Sequence, residues 1–253
     1  MPFRRSFQKV AVVIPAFNEE LTIRDVIVAI PKRIVDLIVV IDDASRDLTS
    51  RIARDAGAIV VRHGENSGVG ASIKSGYCKA VSLGADMVLV VAGDGQHDPQ
   101  EIPFLMQPLL DHQADYVVGD RLGGKPRATG MSKNRHYAIK LLTFITRIIT
   151  HQQIRDSQCG FSAISSSAIR KIRFPFITDG WGVPIDILVE CALRDLRVRY
   201  VPVTIVASRR PSYISPLDFA ARIVVILTRG FLRCQWYWIR RAMSRVRNSC
   251  RES

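Results

Sequence analysis

Asp94 and Gln96, with Asp98 beyond them, stand in Gly93-Asp94-Gly95-Gln96-His97-Asp98, directly after the apolar run Met87 to Val91. A carboxylate and an amide oxygen so spaced on a strand-end loop can share a hard divalent cation. Mg²⁺ or Mn²⁺ accepts one or two carboxylates and completes its shell with substrate phosphate oxygens. Taken alone, the same residues also describe a polar turn. Asp42-Asp43 follows a second apolar run, Leu37 to Ile41, at a place where a carboxylate ordinarily caps a helix, here one starting between Ser45 and Thr49. Further polar groups follow other apolar runs at Pro15-Ala16-Phe17-Asn18-Glu19, Arg62-His63 and Gly119-Asp120-Arg121.

Several chemistries are set aside by spacing. Gly64-Glu65-Asn66-Ser67-Gly68-Val69-Gly70 resembles a phosphate loop, but no Gly-Lys-Ser/Thr follows and the third glycine of the dinucleotide fingerprint is missing. The five histidines lack ligand spacing, and only His97 lies beside an acidic loop. Five cysteines without a Cys-x-x-Cys indicate neither a zinc site nor a disulfide framework, so the reducing cytosol is the expected compartment.

These loops need elements to hold them. Short runs rich in Val and Ile recur at Val10 to Ile14, Leu37 to Ile41, Ala58 to Val61, Met87 to Val91 and Tyr116 to Val118. Helical spacing falls between them: Ile23 to Ile30 after Asn18 as cap, Leu48 to Ala56, Gly70 to Leu83 and Ile102 to Leu110. Continuous apolar strands alternating with helices predict an α/β fold with a mostly parallel central sheet and helices on both faces, Rossmann-like. In such sheets ligands sit beyond the carboxyl ends of the strands, where the polar loops are. After Arg121 the pattern loosens into a basic helix through Ile148, a short strand at Phe161 to Ile164, a helix at Ile185 to Leu193 and a strand at Val198 to Val206. The expected division is residues 1–212 as the main domain and 213–253 as a basic amphipathic helical tail.

The chain has 253 residues, enough for one large domain with an appendage, and 47% hydrophobic with 23% charged residues exclude a disordered or collagen-like chain. Thirty-six Lys+Arg against 23 Asp+Glu leave +13. The stretch from Arg121 to Arg155 contains no acid, and the tail is rich in arginine. Both zones call for an anionic partner, either nucleic acid, an acidic membrane surface or a phosphorylated substrate. No run reaches the roughly 18 apolar residues of a membrane span; Leu217 to Ile239 carries Asp218, Arg222, Arg229 and Arg233 and is expected to lie on a membrane. Arg4, Arg5 and Lys9 precede an apolar run too short for a signal peptide, so it reads as the first strand.

Six motifs occur together in order: Pro15-Ala-Phe-Asn-Glu19, Asp42-Asp-Ala-Ser-Arg-Asp-Leu-Thr49, Asn66-Ser-Gly-Val-Gly-Ala71, Asp94-Gly-Gln-His-Asp-Pro99, Gly119-Asp-Arg121 and Asp156-Ser-Gln-Cys-Gly-Phe161. Over about residues 9 to 206 this pattern resembles the family-2 glycosyltransferases, and within them the polyprenyl-phosphate sugar transferases. The resemblance implies the GT-A fold, an inverting mechanism and a nucleotide-diphosphate sugar donor, UDP- or GDP-linked. It assigns base and ribose to Pro15, Ala16, Phe17, Asn18, Glu19, Asp42 or Asp43, His63 and Asn66, and the Mg²⁺ or Mn²⁺ on the diphosphate to Asp94 and Gln96. Relatives carry an Asp two residues before Asp94, where this chain has Ala92.

Breaking the bond from sugar C1 to the diphosphate requires stabilisation of the departing charge by a metal and by cations. A polyprenyl phosphate acceptor is already an anion and needs no base. Arginine forks suit its phosphate, and Arg121, Arg135 and Arg209, with Arg210 beside it, are the expected contacts. A sugar hydroxyl or small soluble acceptor would instead need a carboxylate base, with Asp186 the first choice and Asp179 the second. In the tail, Trp236, Tyr237 and Trp238 among arginines suit the headgroup layer of an anionic membrane; packing on the domain, or in a homo-oligomer, is the plainer alternative. The expectation is therefore a cytoplasmic, peripherally membrane-associated transferase. A nucleic-acid partner is not expected, because no nucleic-acid motif is present and the acidic strand-end cluster would have no use. A non-catalytic binding protein on the same scaffold is the remaining alternative, motivated by Ala92.

Overall fold

A computed structural model describes residues 8–123, 133–204 and 216–249. The apolar runs become strands: β1 (Val10–Ala16), β2 (Leu37–Asp42), β3 (Ile59–Arg62), β4 (Met87–Val90), β5 (Tyr116–Asp120), β6 (Ser162–Ser165) and β7 (Val198–Pro202). They form one sheet in the order β3-β2-β1-β4-β6-β5-β7. β1 pairs in parallel with β2 and β4, β2 with β3, and β5 with β7, whereas β6 runs antiparallel between β4 and β5. The sheet is thus mostly parallel, as the alternating pattern requires. Residues such as Val12, Val13, Val40, Leu89 and Val117 are fully buried because helices cover both faces.

Those helices are α1 (Ile23–Ala29), α2 (Thr49–Asp55), α3 (Val69–Ser82), α4 (Ile102–Leu110), α5 (Lys133–Thr150), α6 (Ser166–Lys171), α7 (Val183–Leu193) and α8 (Pro216–Ser249). Asn18 does not cap α1; that position belongs to Thr22, and Asn18 sits in the preceding loop at φ 56°, where a short polar side chain tolerates the left-handed region. Gly76 of α3 lies against Val13 with no room for a Cβ, which fixes how closely α3 packs on β1.

α8 packs on the domain. Ile223, Ile226 and Cys234 are buried with Ile149 of α5 and Ile185 and Val189 of α7 in a second apolar cluster beside the main core. Three arginines on α8 meet acids: Arg229 with Asp186, Arg233 with Glu190 and Arg241 with Asp195. Asp186 and Glu190 are buried, so these arginines are the counter-ions that make burial of the two carboxylates tolerable. The other side of α8 stays apolar and exposed at Val225, Leu232, Trp236 and Ile239, and the neighbouring α5 exposes Tyr137, Leu141, Phe144 and Ile148 at helical spacing. Among the described residues, no helix is long and apolar enough to cross a membrane.

Candidate active site

The parallel register brings the carboxyl ends of β1, β2 and β3 level, with Ala16 opposite Asp42 and Asp42 opposite Arg62. The loops that follow are stitched together. The Asn18 amide donates to Ser45 Oγ (2.9 Å), the Arg46 amide donates to Asn18 Oδ1 (2.8 Å), and the Glu19 amide donates to Thr49 Oγ1 (2.8 Å). Thr22 Oγ1 donates to the Gly93 carbonyl at 2.7 Å, tying the first loop to the one after β4. Pro15 and Ala16 lie under this seam, while Phe17 is an exposed aromatic face at its edge.

Asp42 and Asp43 divide the work. Asp42 is fully buried: its oxygens accept from the Ser45 amide (2.8 Å) and the Ser50 hydroxyl, and Arg62 lies 3.6 Å away. That is the turn-bracing arrangement open to any carboxylate before a helix. Asp43 accepts from His63 Nδ1 (2.7 Å) and from the amides of Ser67 (2.9 Å) and Gly68 (2.7 Å), so it fixes the 64–70 loop that carries exposed Asn66. His63 is held on its other nitrogen by Ser75 Oγ at 3.0 Å.

Asp94 and Gln96 come together as the spacing predicts. The Gln96 amide donates to Asp94 Oδ1 (3.0 Å) and its side-chain nitrogen to Oδ2 (2.8 Å), which leaves the Gln96 amide oxygen as an acceptor. Burial pushes the Asp94 carboxyl above its usual range, against the pull of the Gln96 hydrogen bonds and the Arg135 charge. A partly desolvated carboxylate clasped by an amide fits a divalent cation that draws its other ligands from a diphosphate. At Ala92, the backbone amide donates to His97 Nδ1 (3.1 Å), and the imidazole stacks on Phe161. Burial first, then Arg121 and Arg135, lower the His97 pKa to about 3, so this ring is neutral and braces the loop. That bracing role is not apparent from sequence spacing.

Arg121 departs from the role expected of it. Its Nε and Nη2 donate to the Asp156 carboxylate at 2.6 and 2.8 Å, with side chains 5% and 0% exposed. Although burial opposes its charge, these hydrogen bonds hold its pKa above the ordinary arginine value. A fork closed on a buried carboxylate positions the β5 exit and is not presented to an acceptor phosphate. Arg135, exposed on the first turn of α5, acts electrostatically on Asp94, Arg121 and Asp156. Arg209 and Arg210 lie outside the described residues.

Asp186 is buried and engaged through one oxygen. Its Oδ2 accepts from the Thr178 amide (2.8 Å) and from Arg229 Nη2 (2.7 Å). Asp179 is salt-bridged to Lys74 at 2.5 Å. The Arg229 and Arg233 contacts were missed because the tail was read as a separate element. The signal for them was the matched spacing of four in Asp186/Glu190 and Arg229/Arg233.

Asp42, Asp43 and Asp94 thus gather where β2 and β4 end in a mostly parallel sheet. Residues 11–173 match the family Glycosyl transferase family 2, and the chain belongs to that family and is a glycosyltransferase. It is 28% identical to the UDP-N-acetylglucosamine--dolichyl-phosphate N-acetylglucosaminyltransferase of Methanococcus voltae, over 76% of this chain and 83% of that one. It is 26% identical to the undecaprenyl-phosphate mannosyltransferase of Micrococcus luteus, over 92% of this chain and 98% of that one. The fold is shared with glucosyl-3-phosphoglycerate synthase from Mycobacterium tuberculosis, in a crystal structure with Mn²⁺ and UDP-glucose: TM-score 0.69 and 23% identity, over 88% of this chain and 79% of that one.

Proposed function

We propose that this chain transfers a sugar, with inversion at C1, from a UDP- or GDP-linked donor to a polyprenyl phosphate at an anionic membrane surface. The observation that carries this reading is the state of Asp186. A hydroxyl acceptor needs a carboxylate free to take its proton, and Asp186 is buried, with Oδ2 committed to Thr178 and Arg229 and Oδ1 closed off from solvent. A phosphate acceptor is already nucleophilic and needs cations, which the acid-free stretch through α5 supplies. Both polyprenyl-phosphate relatives named above support the same acceptor class.

In this reading Asp43, His63 and Asn66 shape the base and ribose end, with Phe17 at its edge. Asp94 and Gln96 hold Mg²⁺ or Mn²⁺, which when bound offsets the charge of the departing diphosphate. Arg135 receives the acceptor phosphate, and Arg121 positions the β5 exit through Asp156. An oxygen of the lipid phosphate forms the new bond to C1 as the C1–O bond to the diphosphate breaks. The bonding pair leaves on the diphosphate, and no proton has to move. The exposed apolar stripes of α5 and α8, flanked by Lys140, Arg147, Arg222 and Arg240, meet the headgroup layer.

The test is to offer UDP- and GDP-sugars with a short polyprenyl phosphate or with the corresponding polyprenol. Transfer to the phosphate and none to the alcohol is expected. Equal use of the alcohol would overturn the reading.

A further inference from the structure

We propose that Asp186 is a positioning residue through which the seating of α8 sets the loop and helix start at residues 67–71. The proposal rests on the reading that this loop borders the donor site. Three contacts join α8 to the segment entering α7. Arg222 lies at Gly180, where an added Cβ would stand 3.2 Å from its guanidinium; Ile226 lies against Gly182, at φ 98°; and Arg229 holds Asp186. A Cβ at Gly182 would meet the Cδ1 atoms of Ile226 and Ile223, so the helix and the segment are in close contact there.

The carboxylate passes this seating on. Oδ2 of Asp186, which accepts from Arg229, also accepts from the Thr178 amide, and Oδ1 has no hydrogen-bond partner among the described residues. The next carbonyl, of Asp179, accepts from the Gly70 (2.6 Å) and Ala71 (3.0 Å) amides. Those are among the first amides of α3, a helix whose N-cap, Gly68, has no side chain to satisfy them. Segment 177–179 therefore caps α3 in its place. Lys74 adds a second fastening, donating to the Ile177 carbonyl (3.1 Å) and pairing with Asp179. Gly70 sits so close to the Thr178 carbonyl that a Cβ would collide with it. On the other side, Gly68 and Ser67 donate to Asp43, which holds His63. Arg229, Asp186, Thr178, Gly70 and Asp43 thus link the C-terminal helix to the strand ends by hydrogen bonds and two short stretches of backbone, 178–179 and 68–70. Because the outer face of α8 carries Val225, Leu232, Trp236 and Ile239, anything that lifts or seats this helix is felt at the loop.

Hydrogen exchange tests this without a ligand. In Arg229→Gln, the Gly70 and Ala71 amides should exchange at least about tenfold faster than in the unaltered protein, while β1 and β2 amides keep their protection. Asp186→Asn should move the same amides. Arg241→Gln, which loosens the distal end of α8 at Asp195, should leave them unchanged. If Arg229→Gln does not fold, Ile226→Val trims the contact at Gly182 and should raise exchange at the same two amides by a smaller factor. Unaltered exchange at Gly70 and Ala71 in a folded Arg229→Gln or Ile226→Val protein would overturn the proposal. A parallel titration with UDP- and GDP-sugars separates the two ideas: the proposal requires donor affinity to fall about fivefold or more in Arg229→Gln with the KM for lipid phosphate unchanged. An unaltered protein that binds no nucleotide-sugar would overturn the functional reading and leave the exchange result to decide the coupling.

Discussion

The Arg121 guanidinium closes on the Asp156 carboxylate through two parallel hydrogen bonds, and neither side chain has appreciable contact with solvent. This pair joins the exit of β5 to the loop before β6. Removing one partner leaves the other charged and unpaired. Asp156→Ala is expected to destabilise the fold by about 3–5 kcal/mol. Arg121→Lys should recover little, because an ammonium cannot reproduce the fork. Denaturant unfolding of both variants measures this; a loss well under 1 kcal/mol would contradict it.

In the proposed reading Asp94 would hold the metal on the departing diphosphate. Asp94→Asn should keep the fold, with one of the two hydrogen bonds from Gln96 lost, while lowering transfer by about a hundredfold or more. Ala92→Asp, by adding a second carboxylate to the loop, should tighten Mn²⁺ binding measured by titration. Wild-type rates in the first variant, or an unchanged titration in the second, would contradict the assignment.

A chain ending at Ser215 is expected to unfold or aggregate. Asp186 would lose Arg229, and Glu190 would lose Arg233 and keep Arg194, while Ile149, Ile185 and Val189 lost their cover. The outer face should behave differently. Trp236→Ser with Ile239→Ser should move Tm by no more than a few degrees, about the range of surface changes, yet markedly weaken binding to anionic vesicles. Equal vesicle binding would show that this face is not the contact.

Thiol labelling reports on the seating of α8. Cys234 lies on the buried face of that helix and burial pushes its pKa up to about 11; burial likewise pushes the Cys159 thiol up to about 12. The reactive thiolate forms only above the pKa, so lowering pH suppresses labelling further. At pH 8, iodoacetamide should modify exposed Cys78 first and leave Cys159 and Cys234 intact. Labelling of Cys234 in step with Cys78 would mean that α8 is not held against the domain.

Strand positions were legible because buried parallel strands are uninterrupted apolar runs, and α4 matches its expected span of Ile102 to Leu110. The direction of β6 was not legible. Ser162–Ser165 is a short strand whose sense is decided by its neighbours, β4 and β5, on either side. Asp94 and Gln96 were found because their contact is local. Arg121 with Asp156, and Arg229 with Asp186, join residues far apart in the chain, and spacing along one element says nothing of such partners. The tail arginines read as membrane ligands because their acids lie on α7. His97 looked ordinary since its partner is a backbone amide.

The most direct measurement supplies labelled UDP- and GDP-sugars with Mg²⁺ or Mn²⁺ to the full chain in the presence of vesicle-embedded polyprenyl phosphate and an equal concentration of a soluble phosphorylated acceptor such as phosphoglyceric acid, followed by partition of the label between organic and aqueous phases. The account predicts label in the organic phase as an inverted sugar phosphodiester. Label confined to the aqueous product, with none on the lipid, would contradict it.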